Sequence, residues 1–201
     1  MDLSTMRTLV RRDLKDEDNS NYRWPDTEID RAIARAIAEL SRYAPREMKS
    51  TIATVDGSRE IALTTLTDRV SVDRVEFPVG ETPRRFQRFV VYSDAITLVG
   101  DAGGNGGNCY IYWSKVHTLD NNTSTIPGHL EDTLALGAAA YAVLAQAQYR
   151  SDVAGIGGDR ADSDYQSWGA AMLKEFKSEL KRFGRGRKLR VSTLFEGSDS
   201  E

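Results

Sequence analysis

Cys109, His117 and His129 are the residues of this 201-residue chain whose types could carry nucleophilic or metal chemistry. A cysteine attacks only as thiolate, which asks for a neighbouring base or a helix N-terminus to lower its pKa. Cys109 instead follows Asn108 and leads into Tyr110-Ile111-Tyr112-Trp113, which reads as a strand, so a free, buried thiol is the expectation. His117 and His129 stand twelve residues apart, with no second cysteine or third histidine to complete a zinc tetrahedron. The acidic run Asp16-Glu17-Asp18-Asn19 lacks the alternating ligands, central glycine and late glutamate of a calcium loop. The glycine-rich stretches Asp101–Asn108 and Gly155–Gly158 lack the strand-to-helix setting and following lysine of a phosphate loop, so the first is expected to be a flexible hairpin tip. No serine sits in a G-x-S-x-G elbow. The residues therefore predict no catalytic, metal or cofactor site, and no enzyme.

What remains is charge. The net charge of −3 conceals six cations, Lys181, Arg182, Arg185, Arg187, Lys188 and Arg190, uninterrupted by acid and followed by Glu196, Asp199 and Glu201. Such a block could be a solvated helix end, a phosphate contact, or a segment that docks into an acidic groove of a protein. Leu189, Val191, Leu194 and Phe195 favour the third use, because a segment that met only phosphates has no need of Leu194-Phe195. No run approaches the roughly 18 apolar residues of a membrane span, and no basic and apolar leader follows Met1, so a soluble, unexported protein is expected.

The elements that would position these residues are legible from periodicity. Leu3, Met6, Leu9, Val10 and Leu14 mark a short helix with Arg7, Arg11, Arg12 and Lys15 on its other sides. After a polar turn, Ile29, Ile33, Ala36, Ile37 and Leu40 predict an amphipathic helix that starts at Pro25, with Asp26 and Glu28 at its positive end, and stops at Pro45. Ahead of it, Trp24 either packs on its own helix start or covers a partner's surface. From Lys49 to His117 the period becomes that of strands, about six of them, punctuated by Asp56-Gly57, Pro78-Val79-Gly80 and Ser93-Asp94. Pro127 then opens an alanine-rich helix in which Gly137 admits a close neighbour, and the stripe Tyr165, Trp168, Met172, Phe176, Leu180 and Phe183 predicts a fourth helix ending at Gly184. The rest reads as an extended tail. The fold class is thus α+β: a four-helix bundle from 1–48 and 118–184, an inserted antiparallel β domain at 49–117, and a tail at 185–201.

This order of parts resembles the head-to-tail adaptor proteins of tailed bacteriophages, also called connector or neck proteins. The resemblance rests on Tyr22-Arg-Trp-Pro-Asp-Thr-Glu-Ile-Asp-Arg-Ala-Ile-Ala-Arg-Ala-Ile-Ala-Glu-Leu-Ser, on the β insertion, on Leu130-Glu-Asp before the alanine-rich helix, and on Tyr165 and Trp168 in the last one. It implies a virion protein, assembled in the bacterial cytoplasm. Twelve copies would form a ring beneath the portal, with double-stranded DNA passing through the lumen without sequence specificity. The implied partners are other copies, the portal, and a downstream stopper or tail terminator, with no membrane. On that reading Arg182, Arg185, Arg187, Lys188, Leu189, Arg190, Leu194 and Phe195 dock on the portal. Trp24, Arg31, Arg35, Gly137 and Tyr141 are candidates for contact between copies, and Val79, Gly80, Gly104 and Asn105 form tips toward the tail. Two other readings stay open: a helix-turn-helix DNA-binding protein using the Arg31, Arg35 and Arg42 face, and an enzyme built on a polar pocket.

Overall fold

The computed structural model describes residues 1–100, 103–153 and 161–196, with side chains described for 1–100, 103–148 and 164–187. The chain divides into two units, Met1–Ala44 with His117–Arg185 and Pro45–Val116 with Gly186–Glu201. The glycine stretch Gly155–Gly158 lies outside the described residues.

The first unit is helical. Its α1 (Leu3–Leu14) is capped by Asp2, whose carboxylate accepts the Thr5 N–H at 2.7 Å. That bond holds the Asp2 carboxyl below the usual range. In α2 (Asp26–Tyr43) the stripe Ile29, Ile33, Ala36, Ile37 and Leu40 is buried, as its spacing requires. A 3-10 turn, Gly128–Leu130, leads into α3 (Glu131–Val153), and α4 (Ala161–Glu196) is the last element. Buried residues on several sides of α3, among them Leu134, Ala138, Tyr141 and Val143, place it at the centre of the core. Met6 and Val10 of α1 and Phe176 and Leu180 of α4 complete that core.

One feature of this core runs against periodicity. Arg11, expected on an outer side of α1, is 5% exposed, and Asp16, expected in a solvated turn, is 4% exposed. Arg11 Nη1 donates to Asp16 Oδ2 at 2.7 Å, and Nη2 donates to the Trp24 carbonyl at 3.0 Å and to Asp26 Oδ1 at 2.6 Å. Asp16 in turn accepts the N–H groups of Arg23 at 2.8 Å and of Trp24 at 3.3 Å. The Tyr22 ring lies under the guanidinium, 3.3 Å from its centre. The connector before α2 is thereby bound to α1 by a desolvated cation whose donors are matched to several acceptors.

The second unit holds β1 (Arg46–Ala53), β2 (Glu60–Ala62), β3 (Arg69–Glu76), β4 (Phe86–Gln87), β5 (Phe89–Tyr92), β6 (Ala95–Leu98) and β7 (Asn108–Lys115). They form two antiparallel sheets, β1-β7-β3-β4 and β2-β6-β5, over one core that includes Ile61, Val75, Ile96, Leu98, Ile111 and Trp113. Among the described residues seven strands stand where about six were expected, and around Phe86 and Phe89 there are two because the chain changes sheets at Arg88. Within the larger sheet the Tyr112 hydroxyl donates to Glu76 Oε2 at 2.7 Å.

The fourth helix departs from expectation at its end. It does not stop at Gly184 but runs through Gly184 and Gly186 to Glu196, so the stretch expected as an extended tail is helical as far as Glu196. A glycine inside a helix costs roughly 1 kcal/mol against alanine, and neighbouring contacts offset it. At Gly184 a Cβ would lie 3.2 Å from Tyr43 Cδ1, so the missing side chain lets the helix pass close to the end of α2. One turn on, Arg187 donates to Asp73 Oδ2 at 2.9 Å and to Ser114 Oγ at 2.6 Å, and lies 3.5 Å from Glu47 Oε1.

Two outcomes follow. Asp16→Ala leaves a buried guanidinium without its buried acid and is expected to cost about 3 kcal/mol in denaturant unfolding. Asp26→Ala, which removes a 54%-exposed partner, should cost less than about 1 kcal/mol. Burial, reinforced by Glu76, pushes the Tyr112 hydroxyl up to about 12. Because the folded pKa lies above the unfolded value of 10.0, Tyr112 supports the fold fully below pH 10 and loses that support as pH rises toward about 12. Phenolate absorbance should show a late-ionising tyrosine that Tyr112→Phe removes.

Candidate functional site

The residues that could have done chemistry are occupied structurally. Cys109 is buried in β7, where its thiol donates to the Ile52 carbonyl at 3.3 Å and burial pushes its pKa up, away from a reactive thiolate. His117 is 4% exposed. Its Nε2 lies 2.9 Å from the Ala44 carbonyl, which can only accept, so Nε2 carries the proton, and Nδ1 lies 3.2 Å from Thr125 Oγ1. The backbone N–H of His117 donates to Ser41 Oγ at 3.0 Å. The ring of His129 faces Phe183, 6.1 Å between centres. Among the described residues no group of three His, Cys, Asp or Glu could hold a metal ion, and no helix is long and apolar enough to cross a membrane.

The candidates for contact between copies separate into two sets. Trp24 is 1% exposed, with its indole N–H donating to the Ala142 carbonyl at 3.3 Å, and it fills the core of its own unit. Gly137 faces α4: a Cβ there would stand 2.6 Å from the Phe176 ring, so the glycine is the notch into which Phe176 fits. Phe176 also meets Tyr141 edge-on, 6.3 Å between ring centres. Arg31, Arg35 and Tyr141, by contrast, line a shallow groove between α2 and α3 with Glu28, Ala145 and Gln148. There the Arg35 guanidinium lies over the Tyr141 ring at 4.2 Å, while Arg42, the third cation of that helix, pairs with Glu39 at 3.1 Å.

The stripe expected on α4 faces the core except at Trp168: Tyr165, Met172 and Phe183 pack against it with Phe176 and Leu180. Phe176 and Leu180 are buried and Gly169 sits against Leu144, where a Cβ would be 2.9 Å from Leu144 Cγ, but Trp168 remains 36% exposed beside Tyr165. Gly169 lets Leu144 and Val143 of α3 approach closely, and Trp168 beside it is turned outward. A tryptophan next to a glycine in a helix was the sequence signal for this, and periodicity alone does not weigh it.

At the C-terminal part of α4, Arg182 and Arg185 are exposed, Arg182 lying 3.5 Å from Glu179, whereas Arg187 is engaged by Asp73, Ser114 and Glu47. The side chains of Lys188, Leu189, Arg190, Leu194 and Phe195 lie outside the described residues. Of the expected tips, Gly80 is exposed at φ +87°, a conformation that requires glycine, with Val79 half-buried beside it. Gly104 is a correction: it is buried, donating to the Ser58 carbonyl at 2.6 Å and accepting the Gly57 N–H at 2.8 Å, with no room for a Cβ 2.2 Å from the Val55 oxygen. The strand-end turn at Gly57 binds it down, and Asn105 beside it stays exposed.

Gly137→Ala tests the notch. The added methyl must displace Phe176, and an overpacked core costs about 1–3 kcal/mol, which thermal unfolding should read as a clear fall in midpoint.

Comparison with known proteins joins these parts. The model of the SU10 adaptor protein family matches residues 1–192, which takes in residues of both units. No individually curated protein matches the chain. A chain matched over nearly its whole length in this way belongs to the SU10 adaptor protein family, a family of phage head-to-tail adaptors.

Proposed function

We propose that this chain is the neck component that joins the portal of a DNA-filled capsid to the tail, twelve copies closing into a ring with the genome passing through the lumen. The observation that carries the reading is the family match over residues 1–192, which leaves neither unit outside the adaptor frame. The residues support it in two places. Arg31, Arg35 and Tyr141 offer a groove of mixed charge and aromatic surface for the neighbouring copy, and head-to-tail contacts of one kind close a ring without a two-fold axis. Arg182 and Arg185, exposed on α4, begin the basic block that Lys188 and Arg190 continue in sequence. In this reading that block and Leu194-Phe195 meet an acidic groove of the portal. Double-stranded DNA in the lumen would be contacted through its phosphates alone.

Truncation after Arg187 is the sharpest test, because it keeps the contacts of Arg187 with Asp73, Ser114 and Glu47 and removes the rest of the basic block. The shortened protein should unfold at the temperature of the full chain yet fail to join portal rings in negative-stain images and co-sedimentation. Attachment equal to that of the full chain would remove the C-terminal segment from the function. A protein that stays monomeric with and without portal would remove the ring.

A further inference from the structure

The smaller sheet has two margins, and they differ. In an antiparallel pair, residues alternate between those bonded to the partner strand and those whose N–H and C=O point away from it. Val99 N–H donates to the Arg88 carbonyl at 2.8 Å, which makes Arg88 a bonded position; by alternation along Phe89↔Leu98, Val90↔Thr97 and Val91↔Ile96, Phe89 and Val91 point outward. Leu98 agrees, since its N–H goes to the Arg59 carbonyl on the β2 side at 2.9 Å. Among the described residues no hydrogen bond reaches the outward groups of Phe89 and Val91. On the opposite margin, a strand of three residues, the outward N–H of Glu60 is taken by Ser58 Oγ at 3.1 Å, which leaves Ala62 as the outward position there.

The open margin is also apolar and positive. Val90, Val91 and Tyr92 are 57%, 40% and 83% exposed, an unusual load for one short edge strand. Arg84, Arg85 and Arg88 are exposed just ahead of it. The acids nearest in sequence are spent, Glu81 on Arg85 at 2.6 Å and Asp94 on Arg69 at 3.3 Å, and no described acid pairs with Arg84 or Arg88. A second copy of β5 would bring the same positive charge, and the three-residue β2 of a second copy, its Glu60 N–H already bonded to Ser58, offers only Ala62 for pairing. A strand that brings acid fits where these do not.

We propose that the β5 margin receives an extended strand from a different virion protein, apolar at alternate positions and carrying an acidic residue against Arg88. Main-chain bonds to Phe89 and Val91 supply the pairing, and the side chains of Val90 and Tyr92 are covered by the added strand. The proposal rests on the reading of the chain as a neck component and names the face through which it binds a neighbour other than itself.

Hydrogen exchange with mass spectrometry, comparing the free protein with intact phage particles, tests it. Peptides spanning Phe89–Tyr92 should exchange at least about tenfold more slowly in particles, with no such change at Glu60–Ala62. Benzoylphenylalanine placed at Val90 should photocrosslink to an acid-bearing segment of another virion protein. Val91→Pro removes an N–H that bonds nothing among the described residues, and Arg88→Glu leaves the backbone untouched; both should be displaced by the native chain in competition for particles. Unchanged exchange in particles that contain the protein, crosslinks only to a second copy, or equal competition by both variants would overturn the proposal while leaving the adaptor role standing. Particles that assemble without the protein would overturn both.

Discussion

The helical unit depends on one buried cation. Arg11 is removed from water on α1, and the loss of hydration is offset only because Asp16, Asp26 and the Trp24 carbonyl converge on it with 2.6–3.0 Å bonds. This convergence fixes the direction in which the chain leaves α1 and enters α2. Trp24 is carried with it into the core, where its indole bonds the Ala142 carbonyl of α3. Three helices are therefore set by a single polar knot, and the apolar stripe of α2 packs on a frame whose orientation that knot has already chosen. A purely hydrophobic joint would bury as much area with less directional preference.

From there the packing is governed by absences of side chain. Gly137 receives Phe176, Gly169 receives Leu144, and Gly184 passes Tyr43, so three close approaches of α4 to its neighbours are made at glycines. Small residues in a helix forfeit propensity, but they let backbones approach and large neighbours interlock, and the gain is dispersion contact along the seam. Trp168, next to Gly169, is the residue of the expected α4 stripe that this seam leaves outside. In the β unit the corresponding constraint is the change of sheet at Arg88, which ends β4 after two residues and gives β5 a margin of its own.

How much of this was legible follows from what kind of signal each feature leaves. The α2 stripe, the strand period from Lys49 onward and the proline starts are local and apolar, and periodicity reads such patterns directly. The buried Arg11 left no such mark, since its burial is decided by partners at positions 16, 24 and 26 that only the fold brings together. The continuation of α4 was hidden for the same reason: Gly184 reads as a stop unless Tyr43 is known to stand beside it. The glycine-rich stretch before β7 looked free because composition shows no backbone partner, whereas Gly104 is bonded on both sides to Gly57-Ser58. The family resemblance, carried by the Tyr22–Ser41 segment, was readable because the same residues that build the knot and the α2 core also spell its signature.

The serine beside Glu60 carries a consequence for how the free protein behaves at high concentration. Fibril growth needs a strand ladder that offers fresh pairing on both sides, so that every addition recreates the template. Here one flank is a three-residue strand, and one of its outward amides, that of Glu60, already has a hydroxyl partner. Whatever joins the other flank finds only a short and partly occupied margin behind it, which works against repeated stacking of this sheet.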